Sequence, residues 1–227
     1  RQHWFAGGNV KFTSVSIDRA IPADGPAAFE DGTLDFLMIP AVTAGLAELR
    51  TIGITTIHQR VRALTAWTLE QMLPLKHASG LPLATILGPA NTTDRGGTLS
   101  FVLQDPSGKR HDIRRVCALA AQQGLALRSG CFCNPGAGET AFGVTGEMVR
   151  PMFEAGHGFN FDQMREFLRR TQGLDIGAIR ASYGLVSDFS DAWSLLQFLH
   201  QFLNTTRTAL GTDPDKLMPT DELDAGG

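Results

Sequence analysis

The stretch Arg128-Ser129-Gly130-Cys131-Phe132-Cys133-Asn134-Pro135-Gly136-Ala137-Gly138-Glu139 decides how this chain is read. A short apolar run, Leu125-Ala126-Leu127, leads into it and reads as a strand. Two of the three cysteines follow, two residues apart, and then four turn-formers, Asn134, Pro135, Gly136 and Gly138. A thiol on a loop at a strand end is reachable, which suits a nucleophile. Arg128 is near enough in sequence to favour the thiolate. From these residues alone two readings stand: a reactive thiol, or a strand end with two small core thiols. Alternate residues of an extended segment face opposite sides, so one thiol is expected to face a cleft and the other to pack.

Working outward, the 227 residues suit one large domain or one and a half small ones. Apolar content of 43% and charged content of 19% allow a real core. A net charge of −3 gives no support to a nucleic-acid partner. No run is long and apolar enough for a membrane span, and Arg1-Gln2-His3-Trp4-Phe5 is not a signal peptide. Three cysteines without framework spacing fit a reducing, cytoplasmic setting. Cys131 and Cys133 lack a second pair at metal-site spacing, so no metal is expected. The opening residues read as the middle of a fold, and a preceding segment is expected.

Before the cysteine stretch, Val10, Phe12, Val15 and Ile17 suggest a strand, and residues 21–26 a loop. Phe36, Ile39, Val42, Thr43, Leu46 and Leu49 share a helical face, with Gly53 as the stop. A longer helix is expected from Thr55 to Leu75, burying Ile57, Val61, Leu64, Trp67, Leu69 and Met72. The texture changes near Gly80. Strands are expected over residues 84–87 and 97–103, the second alternating Leu99, Phe101 and Leu103 with smaller or polar residues. Asp112 caps a helix to about Gln123, with Cys117 on its buried face. Past the cysteines, helices are read at 148–153 and 161–171, and an apolar strand at 179–186. A last helix follows a cap at Asp188 or Ser190 and buries Trp193, Leu196, Phe198, Leu199 and Phe202. Residues 205–227 read as a disordered tail. The second half is therefore expected to be a small α+β layer of mostly antiparallel strands.

Arg180 stands inside an apolar strand. It either pairs with a carboxylate such as Asp175 or clamps a substrate carboxylate, for which a guanidinium is the right shape. Asp31-Gly32-Thr33 reads as a turn and helix lead-in, or as a phosphate-binding backbone before a helix. His157, between two glycines, is given no catalytic role.

Six segments together carry a family resemblance. They are Trp4-Phe5-Ala6-Gly7-Gly8, Phe29-Glu30-Asp31-Gly32-Thr33, the stretch Arg128 to Ala137, Glu147-Met148-Val149-Arg150, Ala155-Gly156-His157 and Ile179-Arg180-Ala181-Ser182-Tyr183-Gly184. The chain resembles the C-terminal half of class V aminotransferase-fold enzymes that use pyridoxal phosphate, in the cysteine desulfurase and molybdenum cofactor sulfurase group. The resemblance implies an α/β chain of the pyridoxal phosphate-dependent transferase fold type I. It places the end of the large cofactor-binding domain at 1–53, a connecting long helix at 54–80 and a small C-terminal α+β domain at 81–204. It implies that Cys133 forms a persulfide with sulfur taken from L-cysteine, releasing alanine. Arg180 would hold the substrate carboxylate and Arg128 would be a second arginine near that site. Gly32 and Thr33 would reach the cofactor phosphate of the other subunit, which implies a homodimer with shared active sites. The family's cofactor lysine precedes the segment matching Trp4 and is expected outside this chain, with the missing N-terminal half of the fold; this chain is then not competent alone. Where the sulfurases carry a further cysteine after the loop, this chain has Gly138. Two alternatives stay open: another class V enzyme such as an aminotransferase, epimerase or C–S lyase, and a non-catalytic partner chain.

Overall fold

A computed structural model describes residues 8–14, 16–17, 19–30, 35–131, 134–154 and 160–210. They fall into two units, Arg1–Ile54 and Thr55–Gly227.

In the first unit, β1 (Val10–Ser14) pairs antiparallel with β2 (Arg19–Pro22), and the register slips between Val10 and Phe12. β2 lies where the sequence reads as a loop. Its four residues are all exposed, so backbone pairing rather than an apolar face makes the strand. A 3-10 turn, Gly25–Phe29, follows. Helix α1 (Ile39–Ile52) starts with Pro40 in its first turn, where a missing N–H costs nothing, and stops at Gly53 with φ 92°. Gly32 and Thr33 lie outside the described residues.

The second unit begins on helix α2 (Ile54–Met72). Leu64, Leu69 and Met72 are buried as the periodicity predicts, and Thr65 and Thr68 are buried with them. Each threonine hydroxyl donates to the carbonyl four residues back, Val61 and Leu64, at 2.8 Å, which satisfies it inside the core. Ile57, Val61 and Trp67 are only half-buried. Strands β3 (Ala84–Ile86), β4 (Thr98–Leu103), β5 (Arg128–Gly130) and β6 (Ala178–Ser182) form one antiparallel sheet in the order β3-β4-β6-β5. Between them come α3 (Ile113–Gln122), α4 (Pro135–Phe142), α5 (Gly146–Glu154) and α6 (Phe161–Gln172), and α7 (Phe189–His200) closes the unit.

The alternation seen in β4 sorts the two faces of this sheet. Leu99, Phe101 and Leu103 of β4 join Ile179 and Ala181 of β6 on the main core face. That face is packed by Leu69 and Met72 of α2, Val116 and Ala120 of α3, and Phe198 and Leu199 of α7. Full burial of such a side chain is worth about 1.5–3 kcal/mol. On the opposite face Val102 and Ala178 form a second cluster with Phe142, Val149 and Leu168, from α4, α5 and α6.

The caps explain most helix boundaries. The Asp112 carboxylate accepts from the N–H groups of Arg114 and Arg115, and Asp188 and Asp191 close a reciprocal capping box on α7. Five local readings need correction. The strand is Arg128–Gly130, not residues 125–127, because Leu125 N–H closes the end of α3 on Ala120 O at 2.9 Å. The four turn-formers after Cys133 are a helix start: Asn134 accepts from Ala137 N–H and Pro135 takes the first turn of α4. β6 ends at Ser182 rather than Val186, since Ser187 N–H turns back onto Gly184 O. Trp193 is 49% exposed, stacked with Trp67 and Phe189 instead of entering the core. Residues 207–210 form a 3-10 turn pinned by Arg207 to Asp175 at 2.7 Å and by Arg115 Nε to Leu210 O at 2.8 Å. Residues 211–227 lie outside the described residues.

Candidate functional site

The two clusters leave part of the sheet uncovered. On the second face β4 and β6 pair Ser100 with Arg180 and Thr98 with Ser182, and the same register carried one step further sets a third row, Val102 and Ala178. The Val102 row is buried under α4–α6, the Ser100 row is half-buried and the Thr98 row is exposed. The floor therefore slopes outward, and a cavity of about 730 Å³ opens over it. Gly130, Cys131 and the start of α4 make one wall, and Ile86, Leu87 and Gly88 another.

Arg180 is the one charged side chain among the described residues lining this cavity. The carboxylate of Asp175, which the sequence offers Arg180 as an ordinary partner, is taken by Arg207. Arg128 is the cross-strand neighbour of Arg180 on the other side, so the two guanidinium side chains leave the sheet on the same face. Arg128 is exposed and is not among the lining residues. Like charges placed directly opposite are unfavourable by themselves, and an anion between them relieves the repulsion.

The two described thiols lie in different surroundings. Cys131 is half-buried on the cavity wall, with Asn134 N–H donating to its carbonyl at 3.1 Å. Cys117 packs from α3 against the main core. Burial pushes its thiol up to about 11, against a hydrogen bond with Ser129 and with help from the Asp112 charge, so it is a poor nucleophile. Cys133 lies outside the described residues, between the described flanks Cys131 and Asn134. His157 and Gly7 also lie outside them. Among the described residues no group of three His, Cys, Asp or Glu could hold a metal ion.

Sequence reasoning passed over Ser100, Thr98, Ser182 and Phe142, all of which help to frame the cavity or its floor. The signal was present for the first three. Thr98 and Ser100 are the polar positions between the apolar ones of β4, and Ser182 is the partner of Thr98 in β6.

The donors lining the cavity are one guanidinium, several hydroxyls and the Asn134 amide. That set fits a substrate carboxylate. It contains no lysine among the described residues, so nothing in it would bind an aldehyde covalently. No helix among the described residues is long and apolar enough to cross a membrane.

Comparison with known proteins places the family and the fold. The chain is similar to the molybdenum cofactor sulfurase of Solanum lycopersicum, 32% identical over 200 residues, which cover 88% of this chain and 24% of that protein. It is similar to the human molybdenum cofactor sulfurase at 30% identity over 207 residues, 88% of this chain and 22% of that protein. This chain therefore spans about a quarter of the length of these relatives. Two solved structures share its fold. They are the cysteine desulfurase CsdA from Escherichia coli (TM-score 0.51, 17% identity, 87% of this chain and 38% of that one) and the cysteine desulfurase of Thermococcus onnurineus NA1 (TM-score 0.52, 18% identity, 88% and 38%). The fold is thus the α/β fold type I of pyridoxal phosphate-dependent transferases that the sequence leads one to expect. The family model for aminotransferase class-V matches residues 1–155, and with that match the chain belongs to the aminotransferase class-V family.

Proposed function

We propose that this chain is the C-terminal portion of a pyridoxal phosphate-dependent, cysteine desulfurase-like enzyme. The observation that carries the reading is Arg180, standing on the floor of an otherwise uncharged cavity whose wall includes Cys131, two positions before Cys133 in the sequence. The relatives are named for sulfur chemistry, which supports the same reading.

Arg180 pairs the two oxygens of the substrate carboxylate through its planar fork, and Arg128 adds positive potential from the neighbouring strand. This fixes an amino acid with its side chain turned toward the cysteine wall. Cys133 attacks the substrate sulfur as a thiolate. A new S–S bond forms, the Cβ–S bond breaks, and Cβ takes a proton, leaving a persulfide on Cys133 and releasing alanine. Pyridoxal phosphate, when bound, supplies the electron sink that makes the Cβ–S bond breakable. Gly32 and Thr33 would hold its phosphate across a homodimer. The lysine that carries it comes from outside this chain, so this chain is not competent by itself. Cys117 and Cys131 are free thiols, as a reducing, cytoplasmic protein would keep them.

In the complete polypeptide supplied with L-cysteine, alanine and protein-bound persulfide should form in equal amounts, and Cys133→Ser should abolish both. Arg180→Ala should weaken L-cysteine binding by about 1.5–3 kcal/mol, roughly 10- to 150-fold. Release of pyruvate and ammonia in place of alanine, or full sulfur transfer by Cys133→Ser, would overturn the assignment.

A further inference from the structure

We infer that Ser100 is a substrate-binding residue that shares the carboxylate with Arg180. The inference rests on the proposed role of Arg180 and extends it to a residue on a different strand.

Ser100 and Arg180 are direct cross-strand partners in β4 and β6, and both line the cavity. Side chains so placed leave the sheet on the same face with Cβ atoms about 4.5–5.5 Å apart. The rows on either side cannot do the same work. Val102 and Ala178 are apolar and buried beneath α4–α6. Thr98 and Ser182 already share a hydrogen bond of 3.3 Å at the exposed rim. The Ser100 hydroxyl has no hydrogen-bond partner among the described residues. It is thus a free donor next to a guanidinium on a half-buried floor.

The chemistry of a carboxylate matches this pair. It offers about four acceptor positions, and a guanidinium fork fills two of them. Away from bulk water the remaining lone pairs need another donor, because an unsatisfied charged acceptor is costly. Ser100 can supply that donor as a neutral group, without adding a second charge to the floor. The backbone also holds it in place: Leu87 N–H donates to Ser100 O at 2.8 Å, tying the cavity wall to this position. The site so built selects the carboxylate of an amino acid and disfavours its amide.

The test titrates the ¹⁵N-labelled full chain with L-alanine and with L-alaninamide, which keeps the amine and methyl but lacks the carboxylate. L-Alanine should shift the amides of Ser100, Arg180 and Gly130, and L-alaninamide should leave them in place. Ser100→Ala should weaken L-alanine binding about two- to tenfold. Ser100→Thr, which keeps the hydroxyl on a strand that tolerates branching, should restore it, and Arg180→Ala should abolish it. Unchanged L-alanine affinity in a folded Ser100→Ala chain, with Arg180→Ala still silent, would overturn the role of Ser100 and leave that of Arg180 standing. Absence of L-alanine shifts in the parent chain, or shifts indifferent to Arg180→Ala, would overturn the carboxylate reading itself and this inference with it.

Discussion

Gly97 immediately precedes β4 at the outer edge of the cavity floor, and its replacement by alanine tests the geometry on which the floor depends. A Cβ added there would sit 2.5 Å from the Tyr183 carbonyl oxygen and 2.5 Å from Val61 Cγ1. Val61 can move its methyl; the carbonyl is backbone and cannot turn away. Tyr183 N–H also donates to Gly97 O at 2.8 Å, so the two strand ends are already clamped together. To reach ordinary contact near 3.5 Å they must separate by about 1 Å. Overpacking of this kind costs about 1–3 kcal/mol. In a unit of this size that lowers the melting temperature by about 2–4 °C for each kcal/mol. Gly96 is the internal control. It has open space around its Cβ position and no positive φ, so alanine there should be neutral or stabilise by up to about 1 kcal/mol. Urea unfolding of both variants, read as a change in midpoint at constant slope, separates the steric cost from the general effect of removing a glycine. Equal stability of the Gly97→Ala and Gly96→Ala chains would refute the close approach of β4 to the exit of β6, and with it the placing of the Thr98–Ser182 row.

Two further outcomes follow from local chemistry. His111 is 3% exposed, packs edge-on against Phe202, and neither ring nitrogen has a hydrogen-bond partner. Burial, against the pull of Asp105 and of the nearby Gln104 carbonyl and with help from His77 and Arg207, holds its pKa below the ordinary 6.5, so the unfolded chain takes the proton more readily. Stability should therefore be full above about pH 6.5 and fall below it, by up to about 1.4 kcal/mol per pH unit. Unfolding followed from pH 7.5 to 5 should show that loss in the parent and not in His111→Phe; parallel curves would refute it. At Gly138, an added Cβ would lie 3.9 Å from Cys131 Cβ, within the range that a disulfide spans. Gly138→Cys should therefore form an intramolecular bond to Cys131 under mild oxidation, read as a two-dalton mass loss and peptide mapping. A variant that keeps three or more free thiols would contradict the placing of α4 against the cysteine wall.

The sequence by itself determined the period of most of the longer elements, though not of β2, β5 or α4, and period decided which residues could reach a core. Leu99, Phe101 and Leu103 at alternate positions, the aspartate caps at 112 and 188, and the apolar faces of α2 and α7 were legible because propensity and capping act over a few residues. The thiols and arginines were legible as chemistry. What the tertiary structure decided was which face meets what. The turn-formers after Cys133 became the first turn of α4, because Asn134 could cap and Pro135 could start a helix. Trp193, apolar by type, stayed at the surface because its helix presents it to Trp67 and Phe189 rather than to the sheet. Arg180 and Ser100, eighty positions apart, became neighbours through strand register alone, and register is set by long-range pairing that no local pattern encodes. The cavity exists because α4–α6 cover only part of a sheet face, and the extent of that cover is a property of how helices pack, not of any single stretch of residues.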